Sequence, residues 1–153
     1  CKTWISKLAA ELGNRSCKTG LEVMAGSGLL SKALSECGIE MTATDNFSWE
    51  TQHKRMFLVY PVEKLDAVEA AQNSPADFMV ISWPPYGDET IFEVCKAWGS
   101  KRPIVYIGEN GGCNAPDDFF DHFREEHKIE IPQWLGIHVH CWIGRYNERS
   151  KSG

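Results

Sequence analysis

Short apolar segments alternate with helix-spaced segments along most of this chain, and the alternation breaks only at the end. "GLEVMAGSG" reads as a buried strand running into a glycine-rich turn, and "LLSKALSECG" as an apolar-faced helix closed by Gly38. "IEMTATD" gives a second strand, "SWETQHKRMF" a weak helix, and "LVYPVEK" contains a third strand. The helix "DAVEAAQNS" opens on a capping pair, Asp66 and Glu69. "DFMVIS", "ETIFEVCKAWG" and "PIVYIGE" follow as strand, helix and strand. Proline and two aspartates then mark a helix start at "PDDFFDHFREEHK", with Phe119, Phe120 and Phe123 on its buried side.

Strands joined by helices form right-handed crossovers, so the sheet is mostly parallel and covered on both faces. The last two strands, "IEIPQW" and "GIHVHCWIGRY", have no helix between them and must form a hairpin. One strand of the sheet is therefore antiparallel. A further helix over 3–12, carrying Trp4, Ile5, Leu8 and Leu12, precedes the first strand and is closed by Gly13. Residues 1–146 read as one domain, with "NERSKSG" as a flexible tail.

Composition excludes some classes. No apolar run reaches membrane-spanning length, and the opening "CKTWISKLAAEL" lacks the apolar core of a secretory signal. The chain does not begin with methionine, so neighbouring domains are an open expectation. Cysteines at 1, 17, 37, 95, 113 and 141 form no C-x-x-C pair and read as reduced thiols of an intracellular protein, cytoplasmic or nuclear. A net charge of −5 disfavours a stand-alone nucleic-acid grip, although a basic groove or delivery by a partner stays open.

The motifs sit at the ends of strands. In "LEVMAGSGLLSKAL" the glycines at 26 and 28 let the backbone approach a ligand just where a new helix offers free amides. Glu22 lies four residues before Gly26, and Asp45 ends the second strand, where a carboxylate could accept two ribose hydroxyls. Asp66 either meets an adenine amino group or simply caps its helix. A nicotinamide dinucleotide prefers a third glycine where this chain has Ser31, and an acid near two phosphates is unhelpful. The same acid suits a ligand carrying an ammonium and a sulfonium.

On these residues the chain resembles the class I, Rossmann-like S-adenosylmethionine-dependent methyltransferases, from Leu21 to about Tyr146. "EVMAGSG" resembles the D-P-F-x-G-S-G form of their first motif, and "SWPPY" their [D/N/S]-P-P-[Y/F/W] loop, both features of enzymes that methylate exocyclic amines. The resemblance implies a three-layer α/β sandwich with a seven-stranded sheet in the order 3-2-1-4-5-7-6. Its cofactor residues would be Glu22, Met24, Ala25, Gly26, Ser27 and Gly28; then Asp45, Asn46 and Phe47; then Asp66, Ala67 and Ser82. Trp49 is a further candidate flank for the adenine. The catalytic loop would be Ser82, Trp83, Pro84, Pro85 and Tyr86, with Pro84 offering a carbonyl and Tyr86 stacking on the acceptor ring. Methyl transfer in such a loop rests on positioning and desolvation.

One residue departs from that pattern. Trp83 stands immediately before Pro-Pro and can donate a hydrogen bond but not accept one. Ser82, one residue earlier in an extended strand, is expected to point to the other side, toward the cofactor. Three readings stay open: backbone carbonyls alone hold the amine, Trp83 forms an apolar wall for a different substrate, or the site is catalytically dead. Glu109 and Asn110 in "YIGENGG" are candidate acceptor-binding residues at the neighbouring strand tip. His138 and His140 share a strand face, but no third ligand follows at a metal-site spacing. With no evident target-recognition insert, the acceptor is either small or selected by a partner protein or further domain.

Overall fold

The computed structural model describes residues 2–48, 57–85, 87–109, 115–116, 118–133 and 139–151. Helix α1 (Lys2–Asn14) leads into β1 (Thr19–Val23), α2 (Leu29–Glu36) and β2 (Glu40–Asp45). Then come β3 (Val62–Lys64), α3 (Ala67–Asn73), β4 (Phe78–Ser82), α4 (Thr90–Trp98) and β5 (Ile104–Gly108). The chain closes with α5 (Phe119–His122), β6 (Phe123–Ile129) and β7 (His140–Tyr146). The seven strands lie in the order β3-β2-β1-β4-β5-β7-β6. Pairings from β3 through to β5 are parallel, and β7 runs antiparallel to both β5 and β6. The expected sheet order and antiparallel strand are both present.

Strict alternation along the central strands builds two cores. Met79 and Ile81 of β4, with Ile104 and Tyr106 of β5, face α3, α4 and α5. Phe78 and Val80, with Val105 and Ile107, face α1 and α2. The Phe78 ring packs over Gly20 of β1, in space that a side chain there would fill. On the α3–α5 side Tyr106, Phe119 and Phe123 pack ring against ring, which anchors α5 against β5. Among the described residues no helix is long and apolar enough to cross a membrane.

Four local expectations are corrected. Helix α1 runs past Gly13 to Asn14. The helix expected over 116–128 is a single turn, α5, and 123–129 is a strand. Phe123 decides this. Its backbone is extended (φ −96°, ψ 119°), and its buried ring sits where Gly144 of β7 has no side chain, 2.8 Å from where a Cβ would lie. Pairing with β7 then satisfies the backbone of an otherwise exposed charged run, and charges on an edge strand guard it against pairing with other chains. Of the strand expected over 129–134, only Ile129 is paired among the described residues, and 130–133 are irregular. The last described residues are tied down rather than loose: Asn147 N–H donates to His122 O at 2.9 Å and Lys151 N–H to Asp121 O at 2.8 Å.

Candidate functional site

Strands β1 and β4 are neighbours, and the chain leaves the carboxyl end of β1 toward β2 and that of β4 toward β5, in opposite directions. A crevice must open at such a point. Here it is a cavity of about 600 Å³ on the α1–α2 side of the sheet. Its floor is made by Glu22, Ser82 and Ile107, from the ends of β1, β4 and β5. The turn after β1 contributes Ala25 and Ser27. Trp4, Ile5 and Ser6 of α1 form one wall, and Leu29, Leu30 and Ala33 of α2 the other, with Glu36 and Cys37 at the far end. Trp83 completes the mouth.

Glu22 is 1% exposed. Its carboxylate accepts the Ser31 hydroxyl at 2.6 Å, and its carbonyl accepts the Thr44 hydroxyl at 3.2 Å. Burial, the largest influence, lifts this carboxyl to about 7. The Ser31 hydrogen bonds and a bond from Ser82 pull it down, while the nearby charge of Asp45 pushes it up. Ser31, which stands where a dinucleotide site would have glycine, is thus the carboxyl's main hydrogen-bond partner.

Asp45 braces the turn from below. One carboxylate oxygen accepts Gly26 N–H at 2.8 Å and the other accepts Phe47 N–H at 2.8 Å, while Ala25 N–H reaches Thr44 O at 2.9 Å. The turn needs this support, because Met24 (φ 53°) and Phe47 (φ 57°) join Gly26 and Gly28 in the left-handed region. Asp45 is buried and does not line the cavity; neither do Met24, Gly26, Gly28, Asn46, Phe47, Asp66 or Ala67. Asp66 caps α3, accepting from Val68 N–H at 3.0 Å and Glu69 N–H at 3.3 Å.

Ser82 and Trp83 both line the cavity, against the expectation of opposite sides. The alternation fails because Trp83 has φ 50°, so the chain turns out of the strand at that residue. Trp83 N–H still donates to Ile107 O at 2.7 Å, which anchors the turn. Pro84 is buried, and its carbonyl accepts Ala115 N–H at 3.5 Å; neither proline lines the cavity. Glu109 is half-buried, with its carbonyl accepting the Tyr106 hydroxyl at 3.2 Å, and it also lies off the lining. Tyr86, Asn110, Trp49 and His138 lie outside the described residues. His140 stacks on Trp142 with ring centroids 4.7 Å apart.

Sequence reasoning missed the α1 and α2 walls. Trp4, Ile5 and Leu30 carry the same helical apolar spacing as core positions, and only the crossing of two helices over the strand ends shows which of them face a cavity. Ile107 was hidden inside a continuous apolar run. Leu29 carried a weak signal, because it follows the glycine turn directly.

No protein-family model matches the chain, and no curated protein matches it by sequence. Solved structures do match it by shape. TehB from Haemophilus influenzae is 12% identical with a TM-score of 0.58, over 92% of this chain and 62% of that one. Human N-acetylserotonin methyltransferase, solved with S-adenosylmethionine, is 13% identical with a TM-score of 0.60, over 95% of this chain and 51% of that one. The N-methyltransferase NodS from Bradyrhizobium japonicum WM9 is 14% identical with a TM-score of 0.59, over 94% of each chain. This chain thus spans less than two thirds of the length of the first two. At these identities the likeness is one of fold: a Rossmann-like α/β sandwich that structures of methyltransferases share.

Proposed function

We propose that this chain is an S-adenosylmethionine-dependent methyltransferase. The observation that carries the reading is the cavity's charge: among the described residues its only charged lining groups are the carboxyls of Glu22 and Glu36. A cofactor with a sulfonium and an ammonium is matched by such a site, whereas a dinucleotide pyrophosphate would meet repulsion and find no lysine or arginine there. The place of the cavity, at the switch point beside a glycine-rich turn, is where nucleoside cofactors bind in open α/β sheets. The fold shared with methyltransferase structures points the same way.

Bound S-adenosylmethionine would supply an electrophilic methyl group. The chain's own residues hold and shield it. Glu22 would ionise against the bound positive charge, with Ser31 fixing its orientation. Ala25 to Gly28 would present backbone to the cofactor, kept in shape by Asp45, the acid proposed to face the ribose. Ser82 would sit at the boundary between cofactor and acceptor, and Trp83 with the two helices would exclude water. Asp66 and Ala67 would lie toward the adenine. The 82–86 loop, with Tyr86, and the Glu109–Asn110 tip favour an amine acceptor, on a small molecule, a nucleobase or a protein side chain.

A second reading is a domain that binds the cofactor without turning it over. It is favoured by Trp83 in place of an accepting side chain and by the engaged Pro84 carbonyl. Calorimetric titration with S-adenosylmethionine, S-adenosylhomocysteine and NADH tests both readings. Micromolar binding of the two adenosyl ligands without NADH binding supports the cofactor assignment. Formation of S-adenosylhomocysteine and a methylated amine from S-adenosylmethionine and an amine then marks an enzyme, and its absence marks a scaffold. Absence of adenosyl binding ends both readings.

A further inference from the structure

The described residues expose five large apolar side chains; two of them line this cavity, and the other three adjoin the turn beside it. Leu29 (64% exposed) and Trp83 (48%) line it directly. Phe57 (90%), Leu58 (48%) and Val59 (43%) form one segment, held against the turn by Val59 N–H donating to Ser27 O at 3.0 Å. The next residue, Tyr60, packs so close to Gly28 that a Cβ there would lie 2.9 Å from its own. A soluble surface spreads single apolar residues about, whereas a cluster at the opening of a pocket marks a binding function. The backbone at Trp83 makes the same point. An extended continuation would carry the indole to the α3–α4 side, and the left-handed turn brings it to the mouth instead.

We propose that the acceptor end of the cavity receives an uncharged small molecule with a flat apolar ring, seated between the Trp83 indole and Leu29, and not a phosphate-bearing acceptor such as a nucleic acid. This names the acceptor class for the methyl-transfer reading and rests on it. The indole offers a stacking face and a single N–H donor. The only charged lining groups among the described residues are carboxyls, so an anionic acceptor finds no cationic partner there.

The test uses the full chain saturated with S-adenosylhomocysteine and three probes: 1-aminonaphthalene, 1-naphthoate and a single-stranded deoxyadenylate oligomer. Binding is read by calorimetry and by probe fluorescence. Aminonaphthalene is expected to bind at least tenfold more tightly than naphthoate, and the oligomer not measurably. Leu29→Asp places a charge at the lip, in the first turn of α2 where an acid suits the helix, and is expected to weaken aminonaphthalene tenfold or more. Leu29→Lys is expected to narrow or reverse the preference over naphthoate, and it decides the matter if Leu29→Asp does not fold. Equal or tighter binding of naphthoate or the oligomer overturns the proposal, as does unchanged aminonaphthalene affinity in the folded Leu29 variants. If S-adenosylhomocysteine binds and aminonaphthalene does not, the cofactor reading stands and this proposal fails. If aminonaphthalene alone binds and the variants lose it, the methyl-transfer reading fails and the apolar ligand site remains.

Discussion

The two ends of the cavity are built on opposite principles. At the end assigned to the cofactor, Glu22 on the cavity floor and Asp45 under the adjoining turn are 1% and 4% exposed, and each carboxylate is held by hydrogen bonds from the chain itself. At the end assigned to the acceptor, Trp83, Leu29 and the 57–59 segment stand exposed, and the backbone rather than a side-chain network places them. A buried charged group is tolerable only with partners, so the first end is fixed by the fold and intolerant of change. An exposed apolar lip depends on few neighbours, so the second can be altered while the fold persists. A constant cofactor and a variable acceptor would call for this division.

The largest break in that comparison should come from Asp45→Ala. Two backbone amides lose a charged acceptor at once, and hydrogen bonds to charged groups are worth about 1.5–3 kcal/mol each. The turn from Met24 to Gly28, with its left-handed residues, would no longer be held in one shape. Cofactor affinity is expected to fall more than about a hundredfold, roughly 3 kcal/mol, together with a lower melting temperature. Calorimetry and thermal unfolding measure the two effects. Wild-type affinity for S-adenosylmethionine in this variant would remove Asp45 from the site altogether.

Glu22 should show itself through pH. Its carboxyl titrates at about 7 in the folded chain, against 4.5 for the free group. Between those values the folded chain keeps a proton that the unfolded chain has released. This contribution to stability is therefore whole below about pH 4.5 and declines as pH rises through 7, by about 3 kcal/mol in all. Glu22→Gln is expected to flatten that decline, so that the variant gains on the wild type above pH 7 and not below pH 5. Denaturant titrations across this range give the comparison. Affinity for a cationic ligand should rise with pH through 7 in the wild type, because only the ionised carboxyl attracts it. If the rise is shared by S-adenosylhomocysteine, Glu22 faces the ammonium; if only S-adenosylmethionine shows it, Glu22 faces the sulfonium. No pH dependence in either would place Glu22 away from the ligand.

The same division explains what the sequence discloses. The succession of strands and helices and the carboxylates at the strand ends were legible because alternation and strand-to-helix spacing are local signals, read one segment at a time, whereas the sheet order came only with the family resemblance. Glu22 stood out as an acid inside an apolar strand. The helix expected over 116–128 was misread because Phe119, Phe120 and Phe123 satisfy helical spacing, while the space beside Gly144, about twenty residues further on, is a tertiary fact. Trp83 escaped for a different reason. Nothing in "SWPPY" announces a left-handed tryptophan, since bulky residues seldom adopt that conformation and the motif suggests a strand that simply ends. The α1 wall was invisible for want of a partner: its apolar stripe says that it packs, not over which strand ends.

Smaller effects of opposite sign should separate the two ends most cleanly. At the cofactor end, Gly28 has φ 82° and caps α2, and an added Cβ would lie 2.9 Å from that of Tyr60. Gly28→Ala is expected to cost about 1–3 kcal/mol of stability, from strained backbone and displaced Tyr60, and to weaken cofactor binding with it. At the acceptor end, Trp83→Gly removes a bulky residue from the same left-handed region. Relief of that strain, about 1–3 kcal/mol, works against the greater freedom of glycine in the unfolded chain and against the loss of a half-exposed indole's contacts. The Trp83 N–H bond to Ile107 O is a backbone bond and survives the change. The balance is expected to lie within about 1 kcal/mol of the wild type and on the stable side, with S-adenosylhomocysteine still bound. Denaturant midpoints of the two variants, measured side by side, put numbers on the contrast. If Trp83→Gly destabilises the chain as much as Gly28→Ala does, the indole is part of the structural core, and the strain at residue 83 serves packing rather than an acceptor.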